Sequence, residues 1–343
     1  MTSVSAPVIQ PPRSVLSRIA DLRAWLFLSL LLIFFEVWAQ MAYGVTFVGN
    51  TYNLQSIAIF TTAPLLLALG ETFVIISAGI DLSVGFAMGL AAVVAAHTAN
   101  IAGGTLGLPP VFAMLLALVV GVGVSFIPGW VNGWLVARLG VPPFIGTLGM
   151  YGVARGAAYL IAGGTTVPVH NDVYAWVGNG RIFGVPVVVI ITVIVAIGMH
   201  YLLSQTRFGQ HTYAVGANRD AVVRSGIDVG RLTTWIYILS ALCAGLGGVL
   251  YTGRFLAGAA QAGEPLLLDS IAAVVIGGAS LFGGSGTVAG TVAGALVIAV
   301  IQYGLVFIDV EPFWQFVAVG VVIIISVLVD QSQRRLLGGR RDE

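Results

Sequence analysis

"YAVGANRDAVVRSGIDVGR", residues Tyr213 to Arg231, holds five charges in nineteen residues: Arg219, Asp220, Arg224, Asp228 and Arg231. Only 8% of the 343 residues are Asp, Glu, Lys or Arg, and long apolar runs flank this stretch on both sides. A charged island between apolar runs reads as a water-facing connection between membrane spans. The rest of the composition agrees. The chain is 58% hydrophobic and contains 45 glycines, whereas soluble domains carry about 25% charged residues. So little charge cannot cover a water-exposed surface. The expected class is an all-α polytopic membrane protein, because helices satisfy their own backbone hydrogen bonds in lipid.

The charges also exclude chemistry. All fifteen basic residues are arginine. A phosphate-binding loop of the Walker type needs a lysine, as does Schiff-base catalysis, so this chain cannot itself be a P-loop ATPase. Any ATP and Mg that drive it must sit on a partner chain. The single cysteine, Cys243, lies in an apolar run and reads as a small packed hydrophobe. The four histidines, His97, His170, His200 and His211, are scattered without ligand spacing, so neither a metal site nor a catalytic residue is expected.

A spanning helix needs about 20 apolar residues. Ten segments qualify: 24–43, 54–77, 84–102, 111–137, 144–162, 186–203, 232–252, 266–283, 287–307 and 313–330. Segments 54–77 and 266–283 carry Pro64, Glu71 and Asp269 and could be broken or re-entrant. Ten spans put both termini on one side. That side collects twelve of the fifteen arginines, including Arg138, Arg207 and the three of the opening stretch. The positive-inside rule makes it the cytoplasm. The chain then divides into a cytoplasmic tail (1–23), a membrane domain (24–330) whose largest internal cytoplasmic loop is 204–231, and a second cytoplasmic tail (331–343).

Within that loop Asn218 is a good N-cap, Asp220 and Arg224 complement the dipole of a short helix, and Gly226 stops it. A two-turn helix over Arg219–Ser225 follows, and it is marginal unless it packs on something. A solvated linker and a docking helix for a cytosolic partner are the two readings. The docking residues would be Asn218, Arg219, Asp220, Ala221, Val222, Arg224, Ser225 and Gly226.

Charge at membrane depth is costly and usually faces a pair or a cavity. Glu36, Glu71, Asp81, Arg155, Arg254, Glu264 and Asp269 are the candidates. Glu36 reads as snorkelling to the outer interface. Asp81, in "GIDLSVG" (79–85), either caps the third span or lines a path at a helix break. Asp269 would play the same part in the second half, with Pro64-Leu-Leu-Leu and Pro265-Leu-Leu-Leu hinting at an internal repeat. A neutral solute needs hydrogen bonds and stacking, which Ser83, Asn132, Thr147, Gln302 and Tyr303 could offer. The translocation-path candidates are Glu71, Asp81, Ser83, Asn132, Thr147 and Asp269.

Four ordered motifs, "GIDLSVG" (79–85), "VNGWLVARLGVPPFIGTLGM" (131–150), "YAVGANRDAVVRSGIDVGR" (213–231) and "LDSIAAVVIGGASLFGGSGTVAGTVAGAL" (268–296), resemble the permease family of bacterial ABC importers for ribose, xylose and related sugars. The resemblance runs from about residue 50 to 330. One departure is Ala78, where that family commonly has a second glycine; alanine still fits a tight helix contact. The resemblance implies the transmembrane subunit of an importer in the bacterial inner membrane, dimeric with itself or a close relative. It also implies a periplasmic binding protein, a cytosolic ATPase pair docked on the 213–231 loop, and a monosaccharide or neutral polyol moved by alternating access. No nucleic-acid partner is expected. An ion-gradient-driven transporter using intramembrane carboxylates is the alternative reading.

Overall fold

The computed structural model describes residues 15–311 and 313–338. Arg13 and the last five residues, which the sequence places in cytoplasmic tails, lie outside them. The helices are α1 (Val15–Tyr43), α2 (Thr51–Ile76), α3 (Val84–Asn100, continued by a π-turn over Ile101–Thr105), α4 (Pro110–Val124), α5 (Phe126–Arg138), α6 (Pro143–Ala162) and α7 (Asp172–Asn179). They continue with α8 (Val187–Gln205), α9 (Arg207–Ala217), α10 (Arg219–Arg224), α11 (Val229–Phe255), α12 (Leu266–Ile276), α13 (Val288–Phe307) and α14 (Phe313–Gly338). Two-residue antiparallel pairings join Val167–Pro168 to Ala257–Gly258 and Arg181–Ile182 to Val185–Pro186.

The chain is a multi-pass helical bundle. Among the described residues, seven stretches are long and apolar enough to cross a membrane: Arg23–Tyr43, Thr51–Ile76, Val84–Thr105, Pro110–Arg138, Val187–Gln205, Val229–Phe255 and Val288–Phe307. The other three expected spans exist as α6, α12 and α14, with weaker credentials. The α6 helix carries Arg155, α12 has only 11 residues, and the apolar part of α14 is Phe313–Ile325. Boundaries shift too. Helix α1 begins inside the expected N-terminal tail and α14 runs on to Gly338, into the expected C-terminal one.

Two expectations about breaks change. Helix α2 passes through Pro64 without interruption. The break falls instead in 111–137, at Ser125, three residues before Pro128. Proline lacks the N–H that would extend the helix and crowds the preceding turn. The expectation for 266–283 is met in part, because only its first 11 residues are helical.

Lipid offers no hydrophobic drive between helices, so close backbone approach must hold the bundle. Glycines on α2 and α5 supply it against α11. A Cβ at Gly70 would lie 2.6 Å from the Ser240 Cα, and one at Gly133 2.6 Å from the Thr234 Cα. Most of α2, α3 and α11 is buried, while α1, α4–α5 and α8 leave most of their surface exposed. That exposed surface, with Leu30, Ile33, Val119 and Ile194 on it, is the lipid-facing coat.

Contacts sort the connections into two ends. At one, Gly284 N–H donates to the Ile76 carbonyl (2.8 Å) and Tyr213 Oη to the Gly286 carbonyl (2.7 Å), so the turns after α2 and α12 meet α9. Burial lifts the Tyr213 phenol above its ordinary value, so it stays a donor. At the other end, Gln55 bonds the Gly184 carbonyl (2.9 Å), Asn100 the Pro168 carbonyl (2.8 Å) and Asn171 the Pro110 carbonyl (3.0 Å).

The turns after α2 and α12 share one geometry. Ala78 and Gly79 N–H donate to the Ile75 and Val74 carbonyls, both at 2.9 Å; Gly278 and Ala279 donate to Val275 and Val274 at 2.9 and 3.1 Å. Both turns pivot on a left-handed residue, Ala78 (φ +63°) and Gly278 (φ +95°). The internal repeat is therefore real at these turns, and it revises one expectation. In this register Leu281 stands at the position of Asp81, and one residue earlier Ser280 accepts from Phe282 N–H (3.1 Å) much as Asp81 accepts from Ser83 N–H (2.9 Å). Asp269 sits elsewhere, in the first turn of α12. Ala78 matters for its backbone as well, since a non-glycine pays for a left-handed φ.

Candidate functional site

The charged stretch that opened the reading is not a plain loop. Its first part completes α9, and Arg219–Arg224 is α10. Asn218 Oδ1 accepts the Ala221 N–H (3.0 Å), Ser225 Oγ donates to the Val222 carbonyl (2.7 Å), and Gly226 takes φ +81°. The predicted cap, helix and stop are all present. Val222 alone of α10 is buried. Arg219, Asp220, Ala221, Val223 and Arg224 face outward. One anchor and an open polar face make a short helix built to be covered.

Four of the six path candidates form one knot at this same end. Asp81 Oδ1 accepts from Ser83 N–H (2.9 Å), Ser83 Oγ (2.6 Å) and Asn132 Nδ2 (3.2 Å); Asn132 Nδ2 also donates to Ser83 Oγ (2.8 Å). Thr147 Oγ1 donates to the Pro143 carbonyl (2.9 Å) and lies 3.3 Å from that of Ile80. Asp81 is thus no cap of the third span: α3 starts after Ser83 without a side-chain cap. It ties the α2–α3 turn to α5. Glu71 lies within electrostatic reach of Asp81. Asp269 joins neither; it accepts from Gln302 Nε2 (2.8 Å) on α13. Glu36 accepts the Phe47 and Val48 N–H groups (2.8 and 2.7 Å) and so ties down the chain after α1.

A large cavity occupies the opposite end. It measures about 880 Å³ and lies between α2, α11, α13 and the segment joining α11 to α12. Small-molecule sites span about 300–1,000 Å³ and are mostly apolar with a few placed polar groups. Here Ile59, Phe60 and Phe255 give the apolar wall, and Arg254, Gln261, Glu264 and Gln302 the polar points. Glu264 is oriented by Tyr151 Oη (3.2 Å), and Arg254 by a hydrogen bond to Asn179 Oδ1. A polar recess of about 100 Å³ shares Ile59 and Arg254 with it and reaches Gln55 and Arg181. Of the path candidates none lines this cavity. Gln302, Arg254 and Glu264 were visible as polar residues in apolar surroundings; Gln261 gave no signal, because only folding brings its segment against α2.

Helix α6 shows a third feature. Gly149, Gly152 and Gly156 have open space where a Cβ would stand, and Arg155 is exposed beside them with its guanidinium 5.4 Å from the Phe86 ring centroid.

Comparison with known proteins follows from the whole chain. The family described as "Branched-chain amino acid transport system / permease component" matches residues 53–327. The chain is 35% identical to the ribose import permease protein RbsC of Escherichia coli K12 over 91% of its own length and 96% of that protein's. It is 34% identical to the fructose import permease protein FrcC of Rhizobium meliloti (88% and 84%), and 36% to the D-allose transport system permease protein AlsC of Escherichia coli K12 (82% and 84%). No solved structure matches.

Proposed function

The chain belongs to the branched-chain amino acid transport system permease-component family, with sugar-import permeases among its relatives, and from that premise we propose that it is the transmembrane subunit of an ATP-driven importer of a monosaccharide or neutral polyol. The observation that carries this reading is the cavity of about 880 Å³ at the end away from α10. A sugar presents hydroxyls and a weakly apolar face. Arg254, Gln261, Glu264 and Gln302 suit the hydroxyls, and Tyr251 and Phe255 suit the face. The cavity end is the periplasmic side, where a binding protein delivers solute, and the α10 end is cytoplasmic in the bacterial inner membrane.

Helix α10 docks on a cytosolic ATPase that holds the ATP and Mg. Its exposed Arg219, Asp220 and Arg224 give an orientable polar contact. Helix α9 passes the push inward, since Tyr213 and Gly216 bear on the turns after α12 and α2. Alternating access closes the cavity and opens the Asp81 end. A second permease copy covers the outer face of α6, because an arginine and a bare glycine row are poorly suited to lipid and well suited to another helix.

The test is reconstitution. The chain should copurify with a Walker-type ATPase, and radiolabelled ribose should accumulate in vesicles only with ATP, ATPase and binding protein. Replacing Arg219, Asp220 and Arg224 together by alanine should abolish uptake while leaving insertion intact. Accumulation by this chain alone under an ion gradient would establish the alternative, a gradient-driven transporter.

A further inference from the structure

Transport leaves a set of buried oxygens unexplained. Both Glu71 carboxylate oxygens, Asp81 Oδ2, Asn132 Oδ1, the Tyr237 hydroxyl and Ser240 Oγ are buried without a hydrogen-bond partner. They belong to one neighbourhood. Tyr237 reaches it from α11. Its hydroxyl sits 2.7 Å from where a Cβ on Gly79 would stand, in the turn that carries Asp81. Ser240, one turn along α11, packs against Gly70, next to Glu71. Asn132 turns its amide N–H₂ to Asp81 and Ser83, which leaves its oxygen for something else.

Two buried carboxylates without a nearby cation repel each other and lose their hydration, a cost of several kcal/mol per ion. Asp81 has relief from three donor contacts and the N-terminus of α3. Glu71 has none. What is missing is positive charge, and the unpartnered atoms are all oxygens. Oxygen-only sets select hard cations, whereas soft or borderline metals want nitrogen or sulfur. No group of three His, Cys, Asp or Glu occurs among the described residues, which argues against a divalent metal cage.

We propose that Glu71, Asp81, Asn132 and Tyr237 form a buried site for one dehydrated monovalent cation of the sodium type, which pins the α2–α3 turn to α5 and α11. The cation belongs to the protein as a structural ion and moves with no solute. This inference does not depend on the transport reading, and its test needs neither ATPase nor sugar.

The full chain in detergent is heated at pH 8 in NaCl, KCl, LiCl or choline chloride at constant ionic strength. Unfolding is followed by a thiol-reactive dye at Cys243, which is buried in the fold. Sodium at about ten times its Kd should raise the unfolding temperature by about 2 °C over choline. Glu71→Gln should lose that shift while still folding, because it keeps the shape and removes the charge. Direct binding of ²²Na⁺ should saturate near one per chain in the wild type and vanish in Glu71→Gln. Equal unfolding temperatures in all four salts would overturn the site. So would a Glu71→Gln variant that keeps the full sodium shift, or a stability that follows pH identically in sodium and choline, which would make a proton the missing charge.

Discussion

Helices α2 and α12 end in the same way and begin differently. Both finish in a valine-led turn that pivots on a left-handed residue, Ala78 or Gly278. Both carry Pro-Leu-Leu-Leu upstream. Yet α2 runs on through Pro64 for thirteen further residues toward its N-terminus, while α12 starts directly after Pro265. Upstream of Pro64 the chain reads "NLQSIAIFTTA", which sustains a helix. Upstream of Pro265 it reads "AGAAQAGE", where Gly258 and Gly263 weaken a helix. The missing half-helix in the second copy is replaced by the irregular segment 256–265, and Gln261, Ala262 and Glu264 of that segment wall the cavity. Irregular backbone inside a membrane protein is tolerated where it faces protein or a wet cavity. One repeat unit thus gives structure, and its shortened relative gives space.

The two turns differ in what holds them. The first uses a buried charge and side chains from α5. The second uses the Ser280 hydroxyl, which accepts the Phe282 N–H, and backbone bonds, Ser280 N–H to the Ser285 carbonyl (3.0 Å) and Gly284 N–H to that of Ile76. Removing the charge should therefore have the largest effect. Asp81→Leu strands the Ser83 and Asn132 donors and should cost about 3 kcal/mol, read as earlier exposure of Cys243 to a thiol dye on heating. If Asp81→Leu is as stable as the wild type, side chains do not hold the first turn.

Next comes Gln302→Leu, which leaves the Asp269 carboxylate without its donor beside the cavity. A loss of about 2 kcal/mol is expected, with weaker sugar uptake at equal protein level. Unchanged uptake would remove this wall from the path.

The pivots make a matched pair with opposite signs. Gly278→Ala should destabilise by about 1 kcal/mol, because it adds a Cβ at φ +95°. Ala78→Gly should stabilise by up to about 1 kcal/mol, less the extra entropy glycine brings to the unfolded chain. Equal signs in the dye assay would mean that the turns are not equivalent. The smallest effect belongs to Ser280→Ala, about 0.5–1 kcal/mol for the lost Phe282 N–H bond; a loss as large as that of Asp81→Leu would erase the contrast between the turns.

Much of this was legible in residues. The cap, short helix and stop at Asn218, Arg219–Arg224 and Gly226 depend on local hydrogen bonds and backbone preference, so spacing along the chain reveals them. The membrane class follows from too little charge to cover a wet surface. Asp81, Ser83, Asn132 and Thr147 stood out because polar groups in apolar runs need partners. That three of them bond one another through one carboxylate, with Thr147 beside the same turn, depends on α3, α5 and α6 meeting, which no local pattern encodes. Pro64 misled because proline weakens a helix locally, and packing of α2 against α11 and α13 overrides it. The break at Ser125 was hidden in a uniformly apolar run, where Pro128 was the only mark.

The amino-acid sequence by itself determined that this is a multi-pass membrane permease with a charged helix on one end, its ordered motifs resembling sugar importers, because composition, caps and motifs act over a few residues or over the whole chain's solvation. Only the tertiary structure decided where the empty space lies and which buried oxygens face one another. Those are properties of distance between segments some 50 to 240 residues apart, such as Asp81 with Asn132 and Phe60 with Gln302, and they arise when glycine-lined helices close to backbone contact.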